Sequence, residues 1–91
     1  MKTTSKIWTR YQISMHAQYR WAQRFEIDHK ESLTQVISNS RFLGMLHSRG
    51  KAWYVFVYED AAFLFSWEHD APDATLDTVW PVTWAQRKLE A

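Results

Sequence analysis

The stretch that decides the fold is Ala52-Trp53-Tyr54-Val55-Phe56-Val57-Tyr58. Its residues alternate as they would in a β-strand, and both sides of the alternation are largely apolar. One side consists of Trp53, Val55 and Val57, and the other of Tyr54, Phe56 and Tyr58. A strand that is apolar on both faces has both faces covered, so we expect it to be central in a sheet.

The residues around this strand extend it into a three-stranded meander. Phe42 to His47 is predicted to be a strand, and the turn Ser48-Arg49-Gly50-Lys51 that joins it to the first contains a glycine that can adopt a positive φ. A second turn, Glu59-Asp60-Ala61, leads into a strand from Ala62 to Trp67. These segments predict three antiparallel neighbours.

A further strand is predicted from Leu76 to Trp84, because alternate residues are in phase at Leu76, Thr78, Trp80, Val82 and Trp84. Pro81 cannot donate a hydrogen bond to a neighbouring strand, so this strand either lies at a sheet edge or stops there. An exposed edge near Pro81 would allow a homodimer or another partner that adds a strand. The tail from Ala85 to Ala91 is expected to add a short helix.

The first part of the chain predicts a strand followed by a helix. Ile7 to Ile13 alternates as a strand. Ser14 is a suitable N-cap for the helix, because its hydroxyl can accept from the unpaired N–H groups of the first turn. This helix contains His16 and is expected to run to about Phe25.

A second helix is predicted after it. Asp28 and Glu31 have the spacing of a capping box, and an apolar stripe at helical spacing follows, made of Leu33, Val36 and Ile37. Ser38-Asn39-Ser40 is expected to end this helix.

Together these segments predict an α+β domain of order β-α-α-β-β-β-β, with two helices packed on one face of an antiparallel sheet. The 91 residues are short enough to form a single domain, 1–91. Residues 1–6 and 86–91 are expected to fray, because chain ends are poorly ordered unless they are tied down.

Composition limits the classes of function. The chain has no cysteine, which excludes a disulfide framework and a thiolate metal site and fits a cytoplasmic setting. It has no apolar run near the roughly 18 to 20 residues that span a bilayer, and no signal-peptide pattern follows Met1. We therefore expect a cytoplasmic protein that has no membrane association. No spacing of histidines and carboxylates suggests a metal site or a cofactor.

Charge is polarised along the chain. Residues 1–51 contain nine Lys and Arg against three Asp and Glu, whereas residues 52–91 contain two against seven. A basic half can attract a phosphate-rich partner such as RNA. Alternatively, the two halves neutralise each other within the fold.

The helix from Ser14 to Phe25 is the segment that best suits chemistry. Wound as an α-helix, it places His16, Arg20 and Arg24 on one face at intervals of four residues. A neighbouring apolar stripe consists of Ala17, Trp21 and Phe25. One stripe can therefore pack on the core while the other binds an anion. The alternative is structural, with the arginines in surface salt bridges and the histidine bonded to a backbone carbonyl.

The pattern Ser14-Met15-His16-Ala17, followed by Arg20 and Arg24-Phe25, resembles the opening helix of a family of small phage- and plasmid-borne domains. These domains are usually grouped with the RelE-type toxins and the barnase-like ribonucleases. The order of elements after the helix also looks like that family, so the resemblance covers roughly residues 8–82.

This resemblance implies metal-independent RNA cleavage, in which the ribose 2′-OH attacks the adjacent phosphate. His16 would be the general acid or base, and Arg20 and Arg24 would clamp the phosphate. The predicted hairpin would complete an RNA-binding site with Arg49, Lys51, Trp53, Tyr54 and Tyr58, of which Trp53 or Tyr58 could stack on a base.

A second hypothesis belongs to a different class. It is a non-catalytic inhibitor from a phage or mobile element that binds a host protein, either an enzyme or a defence complex. The acidic side chains of the connection after residue 67 could mimic a phosphate backbone, and they are Glu68, Asp70, Asp73 and Asp77. Surplus tryptophan would suit a protein interface.

Overall fold

The computed structural model describes residues 8, 10–26, 31–68 and 71–90, which contain a five-stranded mixed sheet and three helices. The strands are β1 (Arg10–Ile13), β2 (Arg41–Ser48), β3 (Lys51–Tyr58), β4 (Ala61–Ser66) and β5 (Asp73–Pro81). The helices are α1 (Met15–Arg24), α2 (Leu33–Ser38) and α3 (Val82–Glu90). The predicted α+β class is confirmed. None of the helices in these ranges is long and apolar enough to cross a bilayer.

The sheet has the order β1-β5-β4-β3-β2. Strands β2 to β5 pair with antiparallel neighbours, but β1 runs parallel to β5. The sheet is therefore mixed, and the prediction of a wholly antiparallel sheet is wrong. β1 and β5 are joined by most of the chain instead of a tight turn, so no hairpin forces them to be antiparallel.

Helices lie on both faces of the sheet. One face packs with α1 and α2 in a core that includes Trp21, Ile37 and Phe63. The other face packs with α3 in a second core that includes Leu64 and Ala85. This second layer explains why β3 is apolar on both sides, because each side lies under helical side chains.

The helix α3 begins where the sequence pattern predicted the end of a strand. β5 ends at Pro81, and Val82 donates its N–H to the carbonyl of Asp60 at 2.8 Å as the helix starts. An apolar stripe on α3 faces the sheet and consists of Val82, Ala85 and Leu89. Residues 86–90, expected to fray, thus belong to this helix.

A register shift in β5 changes which face its residues occupy. Leu76 pairs with Phe65 and Thr78 pairs with Leu64, so Asp77 is an extra residue in the strand. As a result Leu76 lies in the core under α1, whereas Trp80 packs on the side of α3. The expected single phase from Leu76 to Trp84 is therefore interrupted.

β5 stops at Pro81, which is one of the two outcomes predicted for this strand. β5 lies between β4 and β1, and the outermost strands are β1 and β2. β1 pairs only with Asp73 to Leu76, so it does not reach the part of β5 that leads to Pro81. The homodimer expected from an exposed edge near Pro81 stays a prediction.

Capping serines begin the first two helices. Ser14 accepts a hydrogen bond from the Ala17 N–H at 3.0 Å, which confirms the predicted N-cap of α1. α2 begins at Leu33, where Ser32 accepts from the Gln35 N–H at 3.2 Å. The predicted capping partner Asp28 lies outside the described residues.

Candidate nucleic-acid interface

Helix α1 lies beside the outer edge of β5. β1 pairs with β5 only as far as Leu76, and beyond that point the chain turns into α1. Ser14 donates its N–H to the Leu76 carbonyl and its hydroxyl to the Asp77 carbonyl, both at 3.1 Å. The edge that β1 leaves open is thus met by α1, with Arg24 at its far end.

Arg24 joins three elements. Its guanidinium donates to the backbone carbonyl of Val79 on β5 at 2.9 Å. The same group lies 4.8 Å from the ring centroid of Trp84 on α3, which is a cation–π distance. Burial and, to a lesser degree, the neighbouring charge of Arg20 lower the pKa of Arg24 from its ordinary value. Arg24 therefore holds α1, β5 and α3 together at the edge of the sheet.

Beside Arg24 lies an aromatic groove that we call the tryptophan groove. It has a volume of about 420 Å³ and is lined by Trp80, Trp84, Arg87 and Lys88. The two tryptophan rings meet edge to face, with centroids 6.2 Å apart. Trp84 is 45% exposed although it is a large aromatic side chain. The groove is thus a surface where aromatic rings and cations are adjacent.

Positive charge dominates this surface. Arg87 and Lys88 form part of the groove wall, Arg24 lies over Trp84, and Arg20 is close enough to affect the pKa of Arg24. The only acidic residue of α3 is Glu90. The potential here favours an anionic ligand.

The residues predicted to be catalytic differ in their surroundings. His16 is exposed on the first turn of α1. Arg20 donates to the side-chain oxygen of Gln23 at 2.7 Å and lies 5.6 Å from the ring centroid of Tyr19. The structure brings Arg20 near Arg24, but Arg24 is turned towards β5 and α3.

Of the two predicted hairpin cations, Lys51 lies on the face of the sheet that α3 covers, opposite to α1. Lys51 lies 3.6 Å from a carboxylate oxygen of Asp77 and 5.3 Å from the ring centroid of Trp53. The Trp53 indole N–H donates to the same carboxylate at 2.9 Å. Trp53 packs with the core under α3, so the sheet separates this cluster from the helix that carries His16. Arg49 is exposed in the turn between β2 and β3.

The two predicted tyrosines lie on the opposite face from Trp53. Tyr54 packs against the core under α1 and α2, and its ring meets those of Trp8 and Trp67 at 5.4 and 6.1 Å. Glu31 and Glu59 raise the pKa of Tyr58, which shows that negative charge surrounds its hydroxyl. Lys51 and Trp53 are adjacent, but the five residues expected to bind RNA do not form one site, because Tyr54 and Tyr58 lie on the opposite face of the sheet.

Two of the predicted acidic residues are paired within the chain. Asp73 accepts from the Arg10 guanidinium at 2.8 Å and from the Gln12 amide at 3.0 Å, and Asp77 is held by Lys51 and Trp53. Glu68 is exposed, and Asp70 lies outside the described residues.

The ion pair of Asp73 leads to a prediction about pH. The hydrogen bonds from Gln12 and Arg10 lower the pKa of Asp73 from its ordinary value. A carboxyl group whose pKa is lower in the folded than in the unfolded state stabilises the fold at pH values above its unfolded-state pKa of about 3.9. This stabilisation is lost as the pH falls through the pKa of the folded state. We therefore expect Asp73→Asn to destabilise the protein at about pH 5 and to have a smaller effect at about pH 2.

Urea unfolding across this pH range measures the effect. Glu68→Gln is the control, because it removes an exposed carboxylate from the same connection. If Asp73→Asn destabilises the protein equally at all pH values, the effect does not come from the ionised carboxylate of Asp73.

The residues of the tryptophan groove were not predicted as a site. The pattern placed Trp80 and Trp84 on one strand, and Arg87 and Lys88 in a short tail helix from Ala85 to Ala91, whereas the helix begins three residues earlier at Val82. A signal was present, since Val82, Ala85 and Leu89 are spaced three and four apart as on one face of a helix. On a helix with that spacing, Arg87 and Lys88 share a face with Trp84, because they follow it by three and four residues.

Comparison with known proteins identifies no relative. No family model matches the chain, and neither the curated proteins nor the solved structures include a match. The resemblance to RelE-type toxins and barnase-like ribonucleases thus stays a prediction from the sequence, and the candidate site is interpreted from its own geometry.

Proposed function

We propose that this domain binds RNA through the surface formed by α1 and α3. The observation that supports the proposal best is that Arg87 and Lys88 line one groove with the exposed Trp84, whose ring is held by Arg24. Phosphate contacts from arginine and lysine supply most of the affinity of nucleic-acid binding proteins. Arg87 and Lys88 are the two basic residues of the acidic half of the chain, so the support comes from where the fold places these side chains and not from the charge polarity of the sequence. A cytoplasmic location belongs to this proposal, since the chain has no cysteine.

Binding rather than cleavage is the activity that this geometry favours. A metal-independent ribonuclease, as the toxin-like resemblance implies, needs a proton acceptor and donor beside the cations that hold the phosphate. His16 is available on α1, but Arg24 bonds to Val79, and Lys51 bonds to Asp77 beyond the sheet. Cleavage therefore depends on His16 and Arg20 alone among the predicted groups.

The alternative function, an inhibitor that binds a host protein through acidic side chains, receives less support. Asp73 and Asp77 are neutralised by Arg10 and Lys51, so they do not present a row of open charges. A phosphate mimic needs carboxylates that are exposed to the partner.

The test is a titration of a labelled RNA of about 12 nucleotides at about 50 and about 200 mM salt. We expect salt-sensitive binding, and we expect the double variant Arg87→Gln/Lys88→Gln to weaken it about tenfold or more. If both side chains contact phosphate, the slope of log K against log salt also falls by about 1.4, because each contact with a single strand contributes about 0.7.

The same titration on Arg49→Gln/Lys51→Gln tests the hairpin surface with an equal loss of charge. A loss of affinity in this pair, with none in the α3 pair, would overturn the proposed site. Absence of salt-sensitive binding in the wild type would overturn the function itself.

Cleavage is measured on the same RNA in the presence of a chelator. Product formed by the wild type and lost in His16→Ala, with unchanged circular dichroism, would add ribonuclease activity to the proposal. If the wild type binds the RNA but forms no cleavage product, the domain binds RNA without cleaving it.

A further inference from the structure

We propose that the tryptophan groove binds one unstacked purine base of a single-stranded RNA, an inference that rests on the proposed RNA binding and specifies its ligand. The groove offers two kinds of surface within one volume. Its aromatic walls are Trp80 and Trp84, and its cationic wall is formed by Arg87 and Lys88. A nucleotide has the matching parts, a flat base and a charged phosphate.

Trp84 is held in position for stacking. The guanidinium of Arg24 lies over the ring at 4.8 Å, and the edge-to-face contact with Trp80 is 6.2 Å. A ring held by two neighbours loses little conformational freedom when a ligand binds. The residue is 45% exposed, and a base would stack on the part of the ring that Arg24 does not cover.

The surrounding charge decides which ligands an aromatic groove accepts. Tryptophan rings also attract cations such as methylated ammonium groups. Here Arg24, Arg87 and Lys88 surround the rings, so a cationic ligand would be repelled. The ligand must therefore combine a flat apolar group with negative charge.

The size of the groove limits the ligand further. About 420 Å³ lies in the range of small-molecule sites, about 300–1,000 Å³, which suits one nucleotide and not the width of a duplex. The bases of a duplex are stacked on each other, so their faces cannot contact Trp84. We therefore expect single strands to bind better than duplexes, and adenine better than uracil because a purine stacks over a larger area.

The experiment compares four ligands of equal length, namely oligoadenylate, oligouridylate, an abasic strand with the same phosphates, and a duplex RNA. We expect wild-type affinity to be highest for oligoadenylate and lowest for the abasic strand and the duplex. Trp84→Ala should weaken oligoadenylate binding about tenfold and leave the abasic strand unaffected. Trp84→Phe should retain most of the affinity, because it keeps an aromatic face.

Salt dependence separates stacking from phosphate binding. The slope of log K against log salt should be the same for wild type and Trp84→Ala, since the phosphate contacts remain. Circular dichroism of both Trp84 variants checks that the fold is intact.

Any one of four results would overturn this inference, and one of them uses a polyglutamate peptide as a fifth ligand. If the abasic strand binds as tightly as oligoadenylate, or if Trp84→Ala leaves affinity unchanged, the groove does not hold a base, although salt-sensitive RNA binding would still support the proposed function. If a polyglutamate peptide of matched charge binds as tightly as oligoadenylate, the surface fits an acidic protein partner. If none of the RNA strands binds in a salt-sensitive manner, the proposed function fails as well.

Discussion

Replacing Trp21 with alanine is expected to lower the free energy of unfolding by about 3–5 kcal/mol. Trp21 is 5% exposed, and its ring lies 5.6 Å from that of Phe25 and 6.1 Å from that of Phe63 on β4. The substitution would leave a cavity between α1 and the sheet. Since small domains have a total stability of about 5–15 kcal/mol, the variant should unfold at much lower urea concentration.

Trp84→Ala is the matched control, because it removes the same side chain from an exposed position on α3. We expect it to cost about 1 kcal/mol or less. Unfolding in urea, followed by far-UV circular dichroism, measures both variants. Equal losses would contradict the assignment of Trp21 to the core, and a large loss in Trp84→Ala alone would mean that the groove is a structural element.

Replacing Arg24 with alanine is expected to cost about 2 kcal/mol of stability. The variant loses the charged hydrogen bond to the Val79 carbonyl and the contact with the Trp84 ring. The carbonyl of Val79 is then left without this donor at the partly buried edge of β5. Arg24→Lys should recover part of the loss, because a lysine retains the charge but not the planar group that makes both contacts.

Arg20→Ala is the control for Arg24, since it lies one turn earlier on the same helix and its bond is to the side chain of Gln23. We expect a change within about 0.5 kcal/mol. Urea unfolding decides between the structural role of Arg24 and the phosphate clamp that the sequence suggested. Unchanged stability in Arg24→Ala together with lost RNA binding would favour the clamp.

The sequence was informative where a structure depends on neighbours along the chain. The two apolar faces of β3 predicted an inner strand, and the hydroxyl of Ser14 predicted the start of α1, because both signals are complete within a few residues. The turn at Gly50, whose φ is 77°, was identified for the same reason. Local steric and hydrogen-bonding preferences decide such features.

The sequence was less informative where distant segments meet. Asp77 is the extra residue of a bulge only because β5 pairs with β4 in that register. β5 is flanked by a second strand only over its first part, because β1 pairs with Asp73 to Leu76 and then turns into α1. The residues of β5 alone do not reveal either pairing, because the partner and register of a strand depend on which faces of the sheet are buried.

The candidate site shows the same division. His16, Arg20 and Arg24 are evenly spaced on one helix, and this spacing suggested that they act together. In the fold, Arg24 turns to Val79 and Trp84, which are far from it in sequence. Which cations remain available to a ligand depends on these long-range contacts.

By itself, the sequence determined the α+β class, the meander of β2 to β4 and the capped helix α1. Only the tertiary structure decided that β1 is parallel to β5, that α3 covers the second face, and that Arg24 meets the tryptophan groove. The physical reason is the distance along the sequence over which each interaction acts. Alternation and capping act over a few residues, whereas strand partners and the surroundings of a charge are fixed when segments far apart in sequence bury their apolar faces together.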